Sequence, residues 1–169
     1  MTHQWLARSV IAWLLGCATV AAEAQGSASA PGADQAAIRS LIATYARSID
    51  AADAVLASTV WASTPEVSFI HPRGHEHGWP AIRTNVYEQM MGQTFTERKL
   101  SVKDIVVSCY GDAAWAEFYW DFAAKLRTDG SAVATHGRET QVYRKIDGAW
   151  RLVHVHYSGM PVTGERQGF

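Results

Sequence analysis

GRETQVYRKIDGAWRLVHVHYSGMP, residues 137–161, reads as two paired strands joined by a tight turn. Residues 138–145 alternate and are rich in Thr, Val and Tyr. Asp147-Gly148 follows, a strong hairpin signal because glycine tolerates the positive φ that such turns require. Residues 149–158 alternate again: Trp150, Leu152, His154 and His156 fall on one side, Arg151, Val153, Val155 and Tyr157 on the other. The first set starts as a core-facing row and ends in two histidines. The expectation is a buried face that turns polar towards its end, where a ligand pocket would lie.

Working back from that hairpin, residues 113–126 form another long alternating strand, closed by Asp129-Gly130 and preceded by a turn at Gly111-Asp112. Residues 95–107 form a strand with Leu100, Val102 and Ile105 as buried positions and an irregularity near Lys103-Asp104. Further upstream, Asp34 reads as an N-cap, and Ile38, Leu41, Ile42, Tyr45 and Ile49 follow at helical spacing, giving an amphipathic helix over about 34–50. Asp53 starts a shorter helix that ends near Trp61, and EVSFIH (66–71) is a short strand. The run 71–78, HPRGHEHG, is expected to be a polar loop, with a third helix from Trp79 carrying Pro80 in its first turn and Gly92 as its stop. Helix, helix, strand, helix and four antiparallel strands make an α+β chain with helices on one sheet face.

The chain has 169 residues, room for one domain, and seven Trp help to fill a core. Its formal net charge is −1 with no cluster of Lys or Arg, which argues against nucleic-acid or anionic-membrane partners. The beginning reads as a signal peptide (1–24): Arg8, an apolar run too short to be a transmembrane segment, and Ala22-Glu23-Ala24 as cleavage site. Export to the periplasm or beyond is therefore expected. A second reading takes Leu14-Leu15-Gly16-Cys17 as a lipobox, with a lipidated Cys17. A small-residue linker (25–33), the domain (34–161) and a polar tail (162–169) complete the chain. Once Cys17 has left with the leader, Cys109 is the only cysteine, so no internal disulfide can form; it reads as a small buried residue.

The last strands carry a resemblance. Glu139-Thr140, Asp147-Gly148-x-Trp150, His154-x-His156 and Ser158-Gly159-x-Pro161 resemble the closing hairpin of the association domain of calcium/calmodulin-dependent protein kinase II. They are also similar to bacterial SnoaL-like proteins of the nuclear transport factor 2-like superfamily. The resemblance runs upstream through Gly111-Asp112 and covers residues 34–161. It implies a cone-like fold: three N-terminal helices packed on a strongly curved antiparallel sheet that encloses a pocket, with the convex face commonly pairing subunits. Asp121 and Gln141 fall where the kinase domain places pocket arginines, and neither is Arg here.

On this basis His154 and His156 are expected in the cavity, with Asp121, Glu117 and Tyr119 on one neighbouring strand face, and Gln141 and Glu139 on another. His71 and Trp61 join the ligand-binding set. Asp121 is given the base role, with His156 or Tyr119 as donor, because a carboxylate in an apolar pocket and a histidine can exchange a proton near neutrality. The resemblance extends this to cofactor-free isomerisation, cyclisation or dehydration of a small, mainly apolar molecule. The same residues also fit a reading as groups that merely satisfy one another at a sheet end. A metal reading uses His154-x-His156 with His71 or a carboxylate, or His75-x-His77, but no metal is assigned; the plain reading of His75 and His77 is a solvated loop at the pocket mouth. Ala116, Phe118, Trp120 and Phe122, with Val153, Val155 and Tyr157, make an apolar row expected to face outward and to be covered by a second subunit in a homodimer. A non-catalytic ligand-binding or oligomerisation module is the alternative. There is no Gly-rich phosphate loop, G-x-S-x-G elbow or CxxC.

Overall fold

The computed structural model describes residues 32–160. The expected leader, most of the linker and the C-terminal tail lie outside the described residues. Helix α1 (Ala33–Ala51) carries Ile38, Ile42, Tyr45 and Ile49 on its buried stripe, as the spacing requires. Its N-cap is Gly32 rather than Asp34. The Asp34 carboxylate instead accepts from Trp150 Nε1 at 2.8 Å and Lys145 Nζ at 2.9 Å, tying the first helix to the last hairpin. Asp53 caps α2 (Ala54–Ser58), accepting from the backbone of Val55 and Leu56.

The run expected as a loop is a hairpin: β1 (Ser68–His71) turns at Pro72-Arg73 into β2 (Gly74–His77). Then α3 (Gly78–Ala81) runs on as a π-helix (Ile82–Gln93). Strands β3 (Phe95–Tyr110), β4 (Ala113–Leu126), β5 (Ala132–Ile146) and β6 (Ala149–Gly159) follow as antiparallel hairpins. Sheet order is β2-β1-β6-β5-β4-β3, and β1 runs parallel to β6. The α+β cone is therefore borne out, with one parallel pair in a mixed sheet. The irregularity expected near Lys103-Asp104 is a bulge, with Asp104 at φ 55°.

The facing of the strands decides what the cone encloses. On β4, Ala114, Ala116, Phe118 and Trp120 are buried, while Trp115, Glu117, Tyr119 and Asp121 are exposed. This reverses the expected direction. Burying Phe118 and Trp120 gains about 1.5–3 kcal/mol for each large apolar side chain. The opposite facing would desolvate the carboxylates of Glu117 and Asp121. On β5, Gly137, Glu139, Gln141 and Tyr143 point inward.

Strand β6 begins as expected, with Trp150 and Leu152 buried. Then Tyr143 pairs with Leu152 but Val142 pairs with His154, so one residue, Val153, is extra. This bulge reverses the phase. Val155 and Tyr157 turn inward, and His154 and His156 turn out. Only glycine fits at position 137, where a Cβ would lie 2.5 Å from the Trp120 ring and overlap the Ser158 carbonyl.

Candidate functional site

The inner sheet face and the helices leave a cavity of about 210 Å³, lined mainly by apolar side chains, Phe69, Leu100, Trp120 and Phe122 among them. Glu139 is the one carboxyl in its wall, and the residue is 5 % exposed. It accepts a hydrogen bond from Gln141 Nε2 at 2.6 Å and another from the Tyr45 hydroxyl. Behind it, the Tyr143 hydroxyl donates to Gln141 Oε1, which fixes the amide with its NH2 towards the carboxyl.

Burial dominates the titration of this group. Desolvation pushes Glu139 up to about 8, against the pull of the hydrogen bonds from Gln141 and Tyr45. At neutral pH the protonated acid therefore prevails. Burial first, then the nearby Glu139, also raises Tyr45 and Tyr143. Tyr87 is pushed up to about 12 by its burial. Its hydroxyl accepts from Trp61 Nε1 and bonds Ser48 Oγ, each at 3.2 Å. Trp120 lacks such a partner: its Nε1 is buried and, among the described residues, has no hydrogen bond. An apolar cavity with one protonated carboxyl in its wall can hold an apolar molecule by an oxygen atom, and can exchange a proton with it.

Several expected site residues lie elsewhere. Asp121 is on the outer face, paired at 2.6 Å with exposed Lys103. Glu117, Tyr119 and His156 do meet, but in an outer groove beside Arg138. His154, also outside, bonds Ser68 Oγ at 2.7 Å; desolvation, then its neighbours His156 and His75, lower its basicity. The shared cavity on which the Asp121, Tyr119 and His156 roles depended is thus not formed by them, because β4 faces the other way and β6 bulges at Val153.

Of the remaining expected residues, Glu139 lines the cavity and Gln141 supports it from behind. His71 points inward, is buried and stacks on Tyr157. It therefore cannot share an ion with His154 and His156 across the sheet. Trp61 is packed in the core against Phe69 and Trp79. The rings of His75 and His77 lie 3.9 Å apart. Among the described residues, no group of three or more His, Cys, Asp or Glu is arranged to hold a metal ion. The Cys109 thiol is raised, chiefly by desolvation, which favours the inert form.

Sequence reasoning missed Tyr45, Trp120 and Tyr157 as cavity residues. Tyr45 carried a signal, since a hydroxyl inside an isoleucine stripe needs a buried partner. Trp120 and Tyr157 were hidden by the inverted facing.

The fold and the pocket define a class that the comparisons confirm. The family described as "SnoaL-like domain" matches residues 38–163, and the chain belongs to it. A nuclear transport factor 2 (NTF2-like) superfamily protein from Salmonella enterica is 45% identical over 83% of this chain and 100% of its own, with a TM-score of 0.80. A proposed dehydratase of the NTF2-like family from Streptomyces avermitilis is 20% identical over 79% of this chain and 100% of its own, with a TM-score of 0.70. A proposed scytalone dehydratase from Novosphingobium aromaticivorans is 14% identical over 76% of this chain and 85% of its own, with a TM-score of 0.67. These two likenesses concern the fold alone. No curated protein matches the chain. Among the described residues, no helix is long and apolar enough to cross a membrane.

Proposed function

We propose that the cavity binds a small, mainly apolar molecule through an oxygen atom and catalyses cofactor-free acid–base chemistry on it, of the isomerisation, cyclisation or dehydration type. One observation carries this reading: a lone carboxyl, raised to about 8, in the wall of an apolar cavity. Glu139 takes the acid–base role earlier assigned to Asp121. Tyr45 and Gln141 hold the carboxyl in place. A group that titrates near the working pH is present in both forms, which suits it to take up and return a proton.

Tetralone, an apolar ketone, supplies a direct test. In D2O, the protein should speed exchange of its protons next to the carbonyl, with a rate that rises as Glu139 ionises around pH 8. Glu139→Gln should lower the rate by about a hundredfold or more. An unchanged rate in that variant would remove Glu139 from the chemistry.

Export and pairing belong to the same reading. The leader supports export, and exposed Val106, Tyr110, Trp115 and Tyr119 on the sheet's outer side support a homodimer in place of the row now found buried. Native mass spectrometry of protein recovered from its host's envelope should give a chain beginning at Gln25, at twice the monomer mass. A monomer retaining Met1 would sink both.

A further inference from the structure

Next to the apolar cavity lies a polar chamber of about 380 Å³, and Arg73 and Met90 line both. Building on the pocket reading above, we propose that the ligand is an organic acid, with an apolar ring seated against Trp120 and Phe122 and a carboxylate side arm that passes Met90 to the Arg73 guanidinium.

Three observations carry this. First, the exposed Arg73 guanidinium has no hydrogen bond or ion pair among the described residues; Arg138 and Arg144 share that condition, but only Arg73 borders the apolar cavity. Second, the nearest acid in the chamber is already engaged: Glu76 accepts from Asn85 Nδ2 at 2.5 Å, and its other oxygen lies 3.4 Å from His71 Nε2. Third, the turn that presents Arg73 is fastened from within. The Arg73 backbone N–H donates to His71 Nδ1 at 3.3 Å, and His71 is itself buried against Phe69 and Tyr157. The Tyr157 hydroxyl feels both Glu139 and Arg73, so the acid at the wall and the cation at the mouth flank one side chain.

A guanidinium is a planar fork that matches a carboxylate, and Arg73 stands where the polar chamber meets the apolar cavity. A neutral ligand would leave Arg73 in water. With one cation and the Glu76 carboxylate in the same chamber, a monoanion fits better than a phosphate dianion, which Glu76 would repel. The protonated Glu139 adds no repulsion at neutral pH.

Fluorescence titration of the full chain with three probes that share one ring tests this: naphthylpropanoate, naphthylpropanol and naphthyl phosphate. Naphthylpropanoate should bind about tenfold more tightly than the alcohol and than the phosphate. The acid-to-alcohol ratio should fall to about one in Arg73→Met and be partly kept in Arg73→Lys. Equal, saturable binding of acid and alcohol to the natural chain would overturn the carboxylate and leave the apolar pocket standing. Tighter binding of the phosphate would overturn the monoanion. Binding of none of the probes would overturn the pocket itself, and this inference with it.

Discussion

Two carboxyls on neighbouring strands show what the two faces of the sheet do to the same chemistry. Glu139 on β5 looks inward, is screened from water and is pushed up to about 8. Asp121 on β4 looks outward, and its side chain is 53% exposed beside Lys103. The inner acid bears on folding, because its charge has nowhere to be solvated, and it stands in the cavity wall. The outer acid is half exposed, and its ion pair is of the kind that contributes little. Which of two similar residues lines the cavity is therefore settled by the direction of a strand.

The contrast can be broken most severely at Gly137. Gly137→Val should drive its side chain into the Trp120 ring and the Ser158 carbonyl, at a cost of about 3 kcal/mol or more. Urea denaturation would show a collapsed midpoint; a midpoint like that of the natural chain would mean the inner face is looser than described.

A second effect separates the two acids by pH. Glu139 ionises at about 4.5 when unfolded and about 8 when folded, so between those values the folded state holds the extra proton. Stability then falls as pH rises through that window and levels off above it. Below the window the acid is protonated in both states and contributes no slope. Glu139→Gln should flatten that part of the profile, as read from denaturation midpoints at a series of pH values. A slope that survives the substitution would assign it to another group.

The smallest effect is expected outside. Asp121→Asn should change stability by less than about 1 kcal/mol and leave tetralone exchange at the rate of the natural chain. A large loss of exchange there would restore the outer face as the site.

Much of the fold was legible because its signals are local. The turns at Gly111, Gly130 and Gly148 have the positive φ that their glycines advertise, and the β4 boundaries follow from its alternation. Direction was not local. Alternation gives the phase of a strand, and only packing against α1 says which phase is inside. The aromatic row on β4 was the better guide to the inside than the polar one, since apolar area removed from water outweighs any preference of the polar groups. At the site, Gln141 was legible from the resemblance to the kinase association domain, and Glu139 from its alternation with Gln141. His154 and His156 were not, because the bulge at Val153 follows from the neighbouring strand's register, not from any residue type in β6. The β1–β2 hairpin was masked by its own polarity: it lies at the sheet edge, where charged and histidine side chains face water.

That bulge also has an evolutionary meaning. Strand β6 holds two reading frames on either side of one surplus residue, one that lines the cone with Val155 and Tyr157 and one that would line it with His154 and His156. The present frame is kept by the complete burial of Val155 and by the pairing of Tyr157 opposite Glu139. A descendant that smoothed the bulge would exchange a tyrosine-walled pocket for a histidine-walled one with every side chain in β6 unchanged. In this architecture, new pocket chemistry lies one register step away rather than several substitutions.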